Sequence, residues 1–391
     1  MHSNSISKLL NLTEVIVKKV EHKNSVVDIS IETKPSSQTC PACGQQTSKI
    51  HDYRTQKVKH TSIGHKSIVL TLRKRRYSCS CGKRFYEHYY FLSRYMRCTK
   101  DLMKHICHEL RKQVSFASVA KDAVVSTKTA IRYFDYISYP KPSKLPEVLC
   151  IDEFRGNAGS EKFQCILVDG KKNKILDILP DRKWDHLIKY FATFTRKERS
   201  RVRFFVSDMW RPYRDLAKRY FPNAEIITDK YHFIRQVTWA IESVRKELQK
   251  TMPADLRKYY KHSRSLILKR ESKVKEEKRP ELELMLTYND QLRHAHWLKE
   301  RFLDVCEQPK YSIQRKDFWD WIKFAEKSGI PKFEKCAETF RNWKIEILNA
   351  LKYGYTNGST EGFNNKIKVL KRISYGVQDF ERFRNRILHC N

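Results

Sequence analysis

The sequence predicts a multidomain protein of mixed α+β and α/β class: a small strand-rich metal-binding module, a helical module, and a mixed sheet interrupted by an all-helical insertion. Three features of the chain lead to this prediction. Two closely spaced cysteine pairs lie in the strand-rich N-terminal part. After a proline-rich linker, short apolar runs typical of strands alternate with helical patterns. A long stretch rich in Lys, Glu and Leu then separates the last predicted strand from a basic C-terminal helix.

The composition indicates several folded domains and a polyanionic partner. The chain has 391 residues, more than one domain of roughly 100–200 residues would need. Its formal net charge of +35 favours binding to nucleic acid, and its hydrophobic content of 40% is too high for a disordered basic tail. No apolar run reaches the roughly 18 residues of a membrane span, and the N-terminus lacks the features of a signal peptide. We therefore expect an intracellular protein with no membrane partner.

Residues 1–98 are predicted to form a zinc-binding module. The pairs Cys40-x-x-Cys43 and Cys79-x-Cys81 are each followed by glycine, which permits the turn that points two sulfurs at one ion. Four thiolates in a closed tetrahedral site are typical of structural Zn²⁺, which stabilises a fold rather than catalysing a reaction. Because the second pair is tighter than the usual two-residue spacing, His51 and His60 remain alternatives for one cysteine.

Residues 99–140 are predicted to form a helix-turn-helix module. After a first helix, a second fits Phe116–Asp122 and a third fits Thr127–Tyr136, with Ser126 or Thr127 as its N-cap. The third helix could place polar side chains against phosphates and base edges in a major groove. The candidates for these DNA contacts are Thr127, Lys128 and Arg132. An ordinary three-helix core with a solvated polar face is the alternative interpretation.

Residues 147–230 are predicted to form the first part of a mixed sheet with helices on its faces. Three successive strands joined by short loops favour an antiparallel meander, and the later strand-helix-strand units favour parallel additions. The predicted strands are Val148–Asp152, Phe163–Asp169, Lys174–Leu179, Arg203–Val206 and Glu225–Thr228. Residues 231–351 are predicted to be an all-helical insertion, and residues 352–391 to complete the sheet domain with a basic helix.

Three carboxylates are candidates for a catalytic metal site. Asp152 and Asp208 each end an apolar run, and Glu361 opens the basic helix. An Asp on the first strand, an Asp after the fourth and a Glu on a late helix is the order used by the ribonuclease H-like nuclease fold. Carboxylates suit Mg²⁺ or Mn²⁺, and two such ions can stabilise both the attacking and the leaving oxygen of a phosphodiester. Taken singly, each carboxylate could instead form a turn or cap a helix.

The helix that begins near Glu361 also carries candidate DNA contacts. Helical spacing places Asn365 on or near the face of Glu361, where its amide could support the metal site. The cations that follow could bind phosphate groups. These phosphate-binding candidates are Lys366, Lys368, Lys371 and Arg372.

Other polar residues compete for roles beside the three carboxylates. Asp229 and His232 follow the last predicted strand and could support the metal site or, for Asp229, replace one ligand. Asp169 ends the second strand and is a further alternative ligand. Glu153 is adjacent to Asp152, but strand alternation predicts that it points to the opposite face.

Several motifs resemble bacterial insertion-sequence transposases of the DDE type, in the ISL3 group, over nearly the whole chain. The two cysteine pairs are similar to the N-terminal finger of that group, although the second pair is short. Tyr231 stands where the group often has phenylalanine. The other matching segments are Val148–Phe154, Ser207–Met209, Phe221–His232 and Asn357–Gly376, of which the last is the most specific.

This resemblance implies a ribonuclease H-like catalytic domain in which Asp152, Asp208 and Glu361 bind two divalent metal ions. It implies that the zinc and helix-turn-helix modules recognise the terminal inverted repeats of a mobile element. The expected activity is strand cleavage at the element ends followed by strand transfer into double-stranded DNA, carried out by a homo-oligomer such as a dimer. The expected location is the bacterial cytoplasm, in association with the nucleoid.

Two other classes of function compete with this interpretation. A DNA-binding regulator derived from a transposase would need the N-terminal modules but not the three carboxylates. A nuclease on the same fold would cleave DNA without joining strands.

Overall fold

Alternating apolar residues build a five-stranded sheet in the N-terminal part of the chain. The structure is a computed structural model that describes residues 3–12, 14–156, 158–159, 162–262, 264–374 and 376–391. A short helix, α1 (Ser3–Leu9), precedes the first strand. The strands are β1 (Val15–Lys23), β2 (Val26–Thr33), β3 (Gln38–Thr39), β4 (Gln46–Thr47), β5 (Ile50–Ile63), β6 (Lys66–Ser78) and β7 (Arg84–Tyr86).

The sheet has the order β1-β2-β6-β5, with β7 added beside β6. Its core uses alternate residues of the strands, such as Ile29 and Ile31 of β2 and Leu70 and Leu72 of β6, all of which are buried. The short hairpin of β3 and β4 lies outside this sheet and carries the first cysteine pair in its turn. The N-terminal module is therefore rich in strands, as the sequence predicted.

Three helices follow this sheet and agree closely with the sequence pattern. They are α2 (Lys100–Glu109), α3 (Phe116–Asp122) and α4 (Thr127–Phe134). Each begins after a hydroxyl side chain that accepts a backbone hydrogen bond in its first turn, namely Thr99, Ser115 and Ser126. Buried apolar residues from all three helices form one core.

The C-terminal helix α17 (Phe380–His389) packs on these three helices. The buried guanidinium of Arg386 donates to the carbonyl oxygens of Lys112 (3.0 Å) and Val114 (2.8 Å). His389 Nε2 donates to the carbonyl of Cys107 at 2.7 Å. Arg386 thereby joins α17 to the backbone of the connection between α2 and α3.

The chain divides into two compact units. The N-terminal unit comprises the residues up to Tyr139 together with Lys368–Asn391, and the sheet unit comprises Pro140–Ile367. Residues 352–391 were expected to belong wholly to the sheet domain. Residues from Lys368 onward instead belong to the N-terminal unit, because α17 buries its apolar and cationic side chains there.

The second sheet contains the strand order that the sequence predicted. Strands β8, β9 and β10 are antiparallel neighbours, and β11 and β12 extend the sheet from β8 in parallel, giving the order β10-β9-β8-β11-β12. Apolar side chains of the sheet pack against α5 and α7. The elements are β8 (Val148–Arg155), β9 (Phe163–Asp169), β10 (Lys174–Leu179), α5 (Trp184–Ala192), α6 (Arg196–Arg199), β11 (Phe204–Ser207), α7 (Arg211–Tyr220) and β12 (Glu225–Thr228).

A helical segment separates β12 from the helix α16 (Gly358–Ile373) that carries Glu361. Its core includes Trp321, whose ring lies 4.7 Å from that of Phe302 and 5.4 Å from that of Phe340, measured between centroids. The α-helices are α8 (Lys230–Thr251), α9 (Ala254–His262), α10 (Arg264–Leu268), α11 (Arg279–Thr287), α12 (Asp290–Glu307), α13 (Tyr311–Glu326), α14 (Pro331–Asn342) and α15 (Lys344–Tyr353), with 3₁₀ turns at Glu271–Lys273 and Glu276–Lys278. Within the described ranges, no helix combines the length and apolarity needed to cross a membrane.

Candidate active site and zinc centre

Asp152 and Asp208 lie next to each other where β11 ends beside β8. Strand β11 pairs with β8 in a constant register that ends with Val206 opposite Cys150. Asp208 and Asp152 each come two residues after this last pair, so the same register places them next to each other beyond the paired region. The carboxyl edge of a parallel sheet is where ligand sites form in open α/β folds.

Burial and charge both act on Asp152. Burial is the larger cause, and repulsion by the carboxylate of Asp208 adds to it, so that the pKa of Asp152 is raised from 3.8 to about 7. Two hydrogen bonds nevertheless reach its oxygens, from the backbone N–H of Glu153 (2.7 Å) and from the side-chain amide of Asn364 (2.8 Å). A buried carboxylate held beside a second one is a favourable place for a cation.

His232 and Asp229 surround Asp208 from the end of β12. His232 Nε2 lies 2.9 Å from Asp208 Oδ1. Burial opposes protonation of His232, but its contact with Asp208 outweighs burial and raises the pKa of the imidazole. Asp229 caps α8 by accepting from the backbone N–H of Tyr231, and its other oxygen accepts from the backbone N–H of Asn357 at 2.8 Å. Asp229 therefore joins β12, α8 and the start of α16.

The buried face of α16 is polar at its beginning, where amphipathic helices are usually apolar. Asn357, Thr360 and Asn364 are all more than nine-tenths buried. The amide of Asn357 donates to the carbonyl of Ile151 (3.1 Å), and the amide of Asn364 donates to the carbonyl of Glu153 (3.3 Å) as well as to Asp152.

These two amides occupy the edge of β8 that β11 leaves open. Backbone N–H groups on the β11 side donate to the carbonyl of Glu147, and carbonyls two residues apart along a strand point to the same side. The carbonyls of Ile151 and Glu153 therefore face the β11 side at a point where β11 has already ended. The asparagine amides take the place of the missing strand and fix α16 to this edge of the sheet.

Glu361 lies one turn before Asn364 and is exposed. Among the described residues, the four cysteines are the one group of three or more His, Cys, Asp or Glu whose ligand atoms all lie within 4.8 Å of one another. The three carboxylates are therefore not gathered that tightly. Mutual repulsion between carboxylates gives a physical reason for this separation.

Of the two neighbouring asparagines on α16, the one that contacts Asp152 is not the one predicted to support the site. Asn365, predicted to support the site, shares the exposed side of α16, whereas Asn364 contacts Asp152. Sequence reasoning missed Asn357 and Asn364, although their spacing of seven residues on one helix face was a usable signal. Glu153 points away from Asp152 as predicted, and its oxygens accept from Tyr213 (3.0 Å) and Arg182 (2.7 Å).

Several buried polar atoms near the carboxylates suit a hydrated cation. In the part of the chain that the structure describes, Thr228 Oγ1, Asn357 Oδ1, Thr360 Oγ1 and Asn364 Oδ1 are buried and make no hydrogen bond. Buried acceptors without partners are rare and commonly indicate a bound ion or water. Apart from His232, the groups around Asp152 and Asp208 that could face a cation offer oxygen atoms, which Mg²⁺ and Mn²⁺ prefer.

The four cysteines form a second, separate cluster. Sγ of Cys40 lies 3.7 Å from that of Cys81, and Sγ of Cys43 lies 3.5 Å from that of Cys79. A tetrahedral Zn²⁺ site with Zn–S bonds of about 2.3 Å requires sulfurs roughly 3.8 Å apart, so this cluster fits structural zinc. Gly44 and Gly82 have φ of +76° and +84°, which allow both turns.

The structure excludes the two histidines from this cluster. The buried ring of His60 contacts the hydroxyl of Thr99 at 2.8 Å, and His51 Nδ1 lies 3.2 Å from a carboxylate oxygen of Asp52. The zinc ligands are therefore best assigned to the four cysteines alone.

The predicted DNA-contacting residues lie at the surface. Thr127, Lys128 and Arg132 are exposed on α4. On α16, three of the four predicted cations are exposed and Lys371 is half-buried. The exposed residues of this set are Lys366, Lys368 and Arg372.

Two family descriptions and several known proteins match this chain. The ISL3-type family described as "Transposase" matches residues 149–387, and the "zinc-finger of transposase IS204/IS1001/IS1096/IS1165" matches residues 36–81. A transposase for insertion sequence element IS1001 from Bordetella parapertussis is 27% identical over 368 residues, covering 91% of this chain and 89% of that protein.

Two further relatives match shorter segments. A transposase for insertion sequence element IS1557 from Mycobacterium tuberculosis is 32% identical over 91 residues, 22% of this chain and 19% of that protein. An ATP-dependent protease from Lactococcus lactis is 32% identical over 99 residues, 25% of this chain and 30% of that protein.

Replacing Asp152 by asparagine is expected to stabilise the protein in buffer without Mg²⁺ or Mn²⁺. Because the folded-state pKa is raised from 3.8 to about 7, the folded protein retains a proton that the unfolded chain releases. Its stability therefore falls by up to about 1.4 kcal/mol per pH unit between about pH 4 and about pH 7. Asp152→Asn removes this loss, so its gain should be largest above about pH 7 and vanish near about pH 4. Urea unfolding across this pH range measures the gain, and a pH-independent difference would contradict the assigned burial.

Proposed function

We propose that this chain cleaves and joins DNA at the ends of a mobile element, since it belongs to the ISL3 family of transposases. The observation that carries the proposal is the juxtaposition of Asp152 and Asp208 at the carboxyl edge of the second sheet, with α16 fixed against it by Asn364. The proposed fold of this unit is ribonuclease H-like. Its strand order and the positions of the carboxylates support that assignment.

The proposed metal ligands are Asp152, Asp208 and Glu361. Their hard oxygen donors fit Mg²⁺ or Mn²⁺, and the unpartnered polar atoms nearby fit the hydration of such ions. When bound, a pair of these ions would supply Lewis-acid stabilisation of the charge on the attacking and leaving oxygens. Glu361 is exposed on α16, and its side chain is proposed to turn toward the other two carboxylates when the ions bind.

The other residues of the site hold these groups in place. Asn364 and the backbone N–H of Glu153 orient Asp152, and His232 orients Asp208. Asp229 secures the start of α16 by accepting from the backbone of Asn357. Such supporting contacts restrict the carboxylates to one geometry, which a two-ion site requires.

The reaction that this site would catalyse has two phosphoryl-transfer steps. In the first, the oxygen of water bonds to phosphorus at the element end, the bond from phosphorus to the 3′ oxygen breaks, and that oxygen takes up a proton. In the second, the freed 3′ hydroxyl attacks a phosphorus of the target strand, releases its proton, and displaces the target's own 3′ oxygen. Cationic side chains of α16 are proposed to bind the phosphates on either side.

The N-terminal unit is proposed to recognise the element ends. Its cysteine cluster would hold structural zinc, and α3 and α4 form the proposed helix-turn-helix, with Thr127, Lys128 and Arg132 directed to DNA. Two ends must be joined, so a dimer on DNA is proposed, acting in the bacterial cytoplasm at the nucleoid. The net charge of +35 supports strong, salt-sensitive attraction to DNA.

Asp208→Asn is expected to lower strand cleavage by at least roughly a hundredfold, because a metal ligand contributes several kcal/mol of transition-state stabilisation. DNA affinity should remain unchanged. Cleavage and joining are measured on a plasmid that carries the insertion element encoding this chain. Asp215→Asn, an exposed residue on the following helix, applies the same change of charge as a control. Full cleavage by Asp208→Asn would refute the catalytic assignment, and cleavage without joining by the native chain would favour a nuclease.

Asn364→Ala is expected to weaken Mn²⁺ affinity by roughly 10–100-fold, as loss of a partner that orients a ligand typically does. The matched control is Asn223→Ala, which removes an equivalent amide bond to the carbonyl of Ser200 (3.0 Å) before the amino end of β12. Mn²⁺ titration of both variants provides the comparison. Equal Mn²⁺ affinity in the two variants would show that Asn364 serves the fold and not the metal site.

A further inference from the structure

A groove lies on the N-terminal unit beside the cysteine cluster. It is formed by β5, β6, β7, the loop that follows β7, β3 and the turn that carries Cys40 and Cys43, and its volume is about 1150 Å³. Pockets for small molecules typically measure about 300–1,000 Å³. This groove is larger, and its charged lining residues are mostly cations, so it suits an extended polyanion better than a small ligand.

The charge of the groove is almost entirely positive. Eight arginines and lysines line it: Arg54, Lys57, Lys74, Arg76, Lys83, Arg84, Arg94 and Arg97. The one acidic residue in the lining, Glu87, is buried and already bound by the guanidinium of Arg75 (3.2 Å) and the hydroxyl of Tyr89 (2.6 Å). Its carboxylate is therefore held chiefly by Arg75 and Tyr89, and one acidic residue stands against eight cations in the lining.

Tyr95 at the rim of the groove combines a highly exposed side chain with an unusual backbone conformation. Its side chain is 86% exposed, and its backbone has φ of +65°, which is rare for a bulky residue. The loop is nevertheless anchored by two hydrogen bonds. The side-chain amide of Gln56 donates to the carbonyl of Met96 (2.8 Å), and the backbone N–H of Lys59 donates to the carbonyl of Arg97 (2.8 Å). An exposed aromatic ring on an anchored loop with an unusual backbone conformation is available for contact with a ligand.

Cations and aromatic rings alternate around this rim. The guanidinium of Arg94 lies 4.7 Å from the ring centroid of Tyr95, and the ammonium of Lys74 lies 4.7 Å from that of Tyr86. Proteins that bind unpaired nucleic acid combine these features, with cations along the backbone and aromatic rings that stack on bases. An intact duplex offers an aromatic ring no open base face except at its ends.

We propose that this groove binds DNA with unpaired bases, with its cations on the phosphates and Tyr95 stacked on an exposed base. The inference rests on the proposed function only for the identity of the polyanion as DNA. It assigns the groove a role distinct from duplex recognition by α4: it would hold the strand that becomes unpaired at a cut or frayed element end.

The test measures DNA affinity of the full-length, zinc-loaded chain by fluorescence anisotropy, without Mg²⁺ or Mn²⁺ so that no cleavage occurs. The probes are a blunt duplex, a duplex with an unpaired 3′ extension, and a single strand. Tyr95→Ala and Tyr95→Leu should each weaken binding to the two unpaired probes by roughly tenfold, as expected for loss of one stacked base, and leave blunt-duplex binding nearly unchanged. Tyr95→Phe should bind like the native chain because it keeps the ring.

Two controls separate this role from general effects. Tyr90→Ala removes a 37% exposed tyrosine of the same module that does not line the groove, and it should change none of the affinities. Arg54→Gln combined with Arg97→Gln should weaken binding to the unpaired probes and reduce its dependence on salt.

The outcomes distinguish a failure of the groove inference from a failure of the proposed function. If the native chain binds and cleaves DNA but Tyr95→Ala and Tyr95→Leu bind unpaired probes as tightly as it does, the groove inference is wrong and the proposed function stands. If the native chain binds no DNA at all, both are wrong.

Discussion

The attachment of α16 to the free edge of β8 is the contact on which the proposed metal site depends. Asn357 lies 128 residues after Asp229, yet its backbone N–H returns to the carboxylate of Asp229 at the end of β12. The amides of Asn357 and Asn364 then satisfy carbonyls that β11 is too short to reach. Buried backbone acceptors without partners are costly, so these bonds fix the helix in one register. They also explain how a long helical insertion is tolerated between two halves of one site.

Two carboxylates lie close together at the same edge of the sheet, which is electrostatically unfavourable. Asp152 is buried beside Asp208, and its raised pKa reflects the cost of keeping both carboxylates ionised without a cation. His232 offsets part of that cost at Asp208. Active sites often retain such destabilising arrangements because binding of a cation or substrate relieves them. The exposed position of Glu361 is consistent with this view, since a third carboxylate has no reason to approach the pair until positive charge is present.

The sequence predicted the elements better than it predicted their contacts. The apolar runs that end at Asp152 and Asp208, and the hydroxyl caps of α2 to α4, are local signals that located strands and helices closely. The local sequence did not determine whether Asn364 or Asn365 would face Asp152. Successive residues of a helix are rotated by about 100° about its axis, and only packing on β8 fixes which of them faces the sheet. The docking of α17 was likewise unpredictable, since an amphipathic pattern shows that a face is buried but not against which partner.

The central claim is that Asp152, Asp208 and Glu361 form one two-metal site. Anomalous scattering from crystals of the chain grown with Mn²⁺ and DNA tests it most directly. The account predicts two manganese ions between these carboxylates, with the side chain of Glu361 turned toward Asp152. Manganese held by Asp152, Asp208 and Asp229 without Glu361, or no manganese at this edge of the sheet, would contradict it.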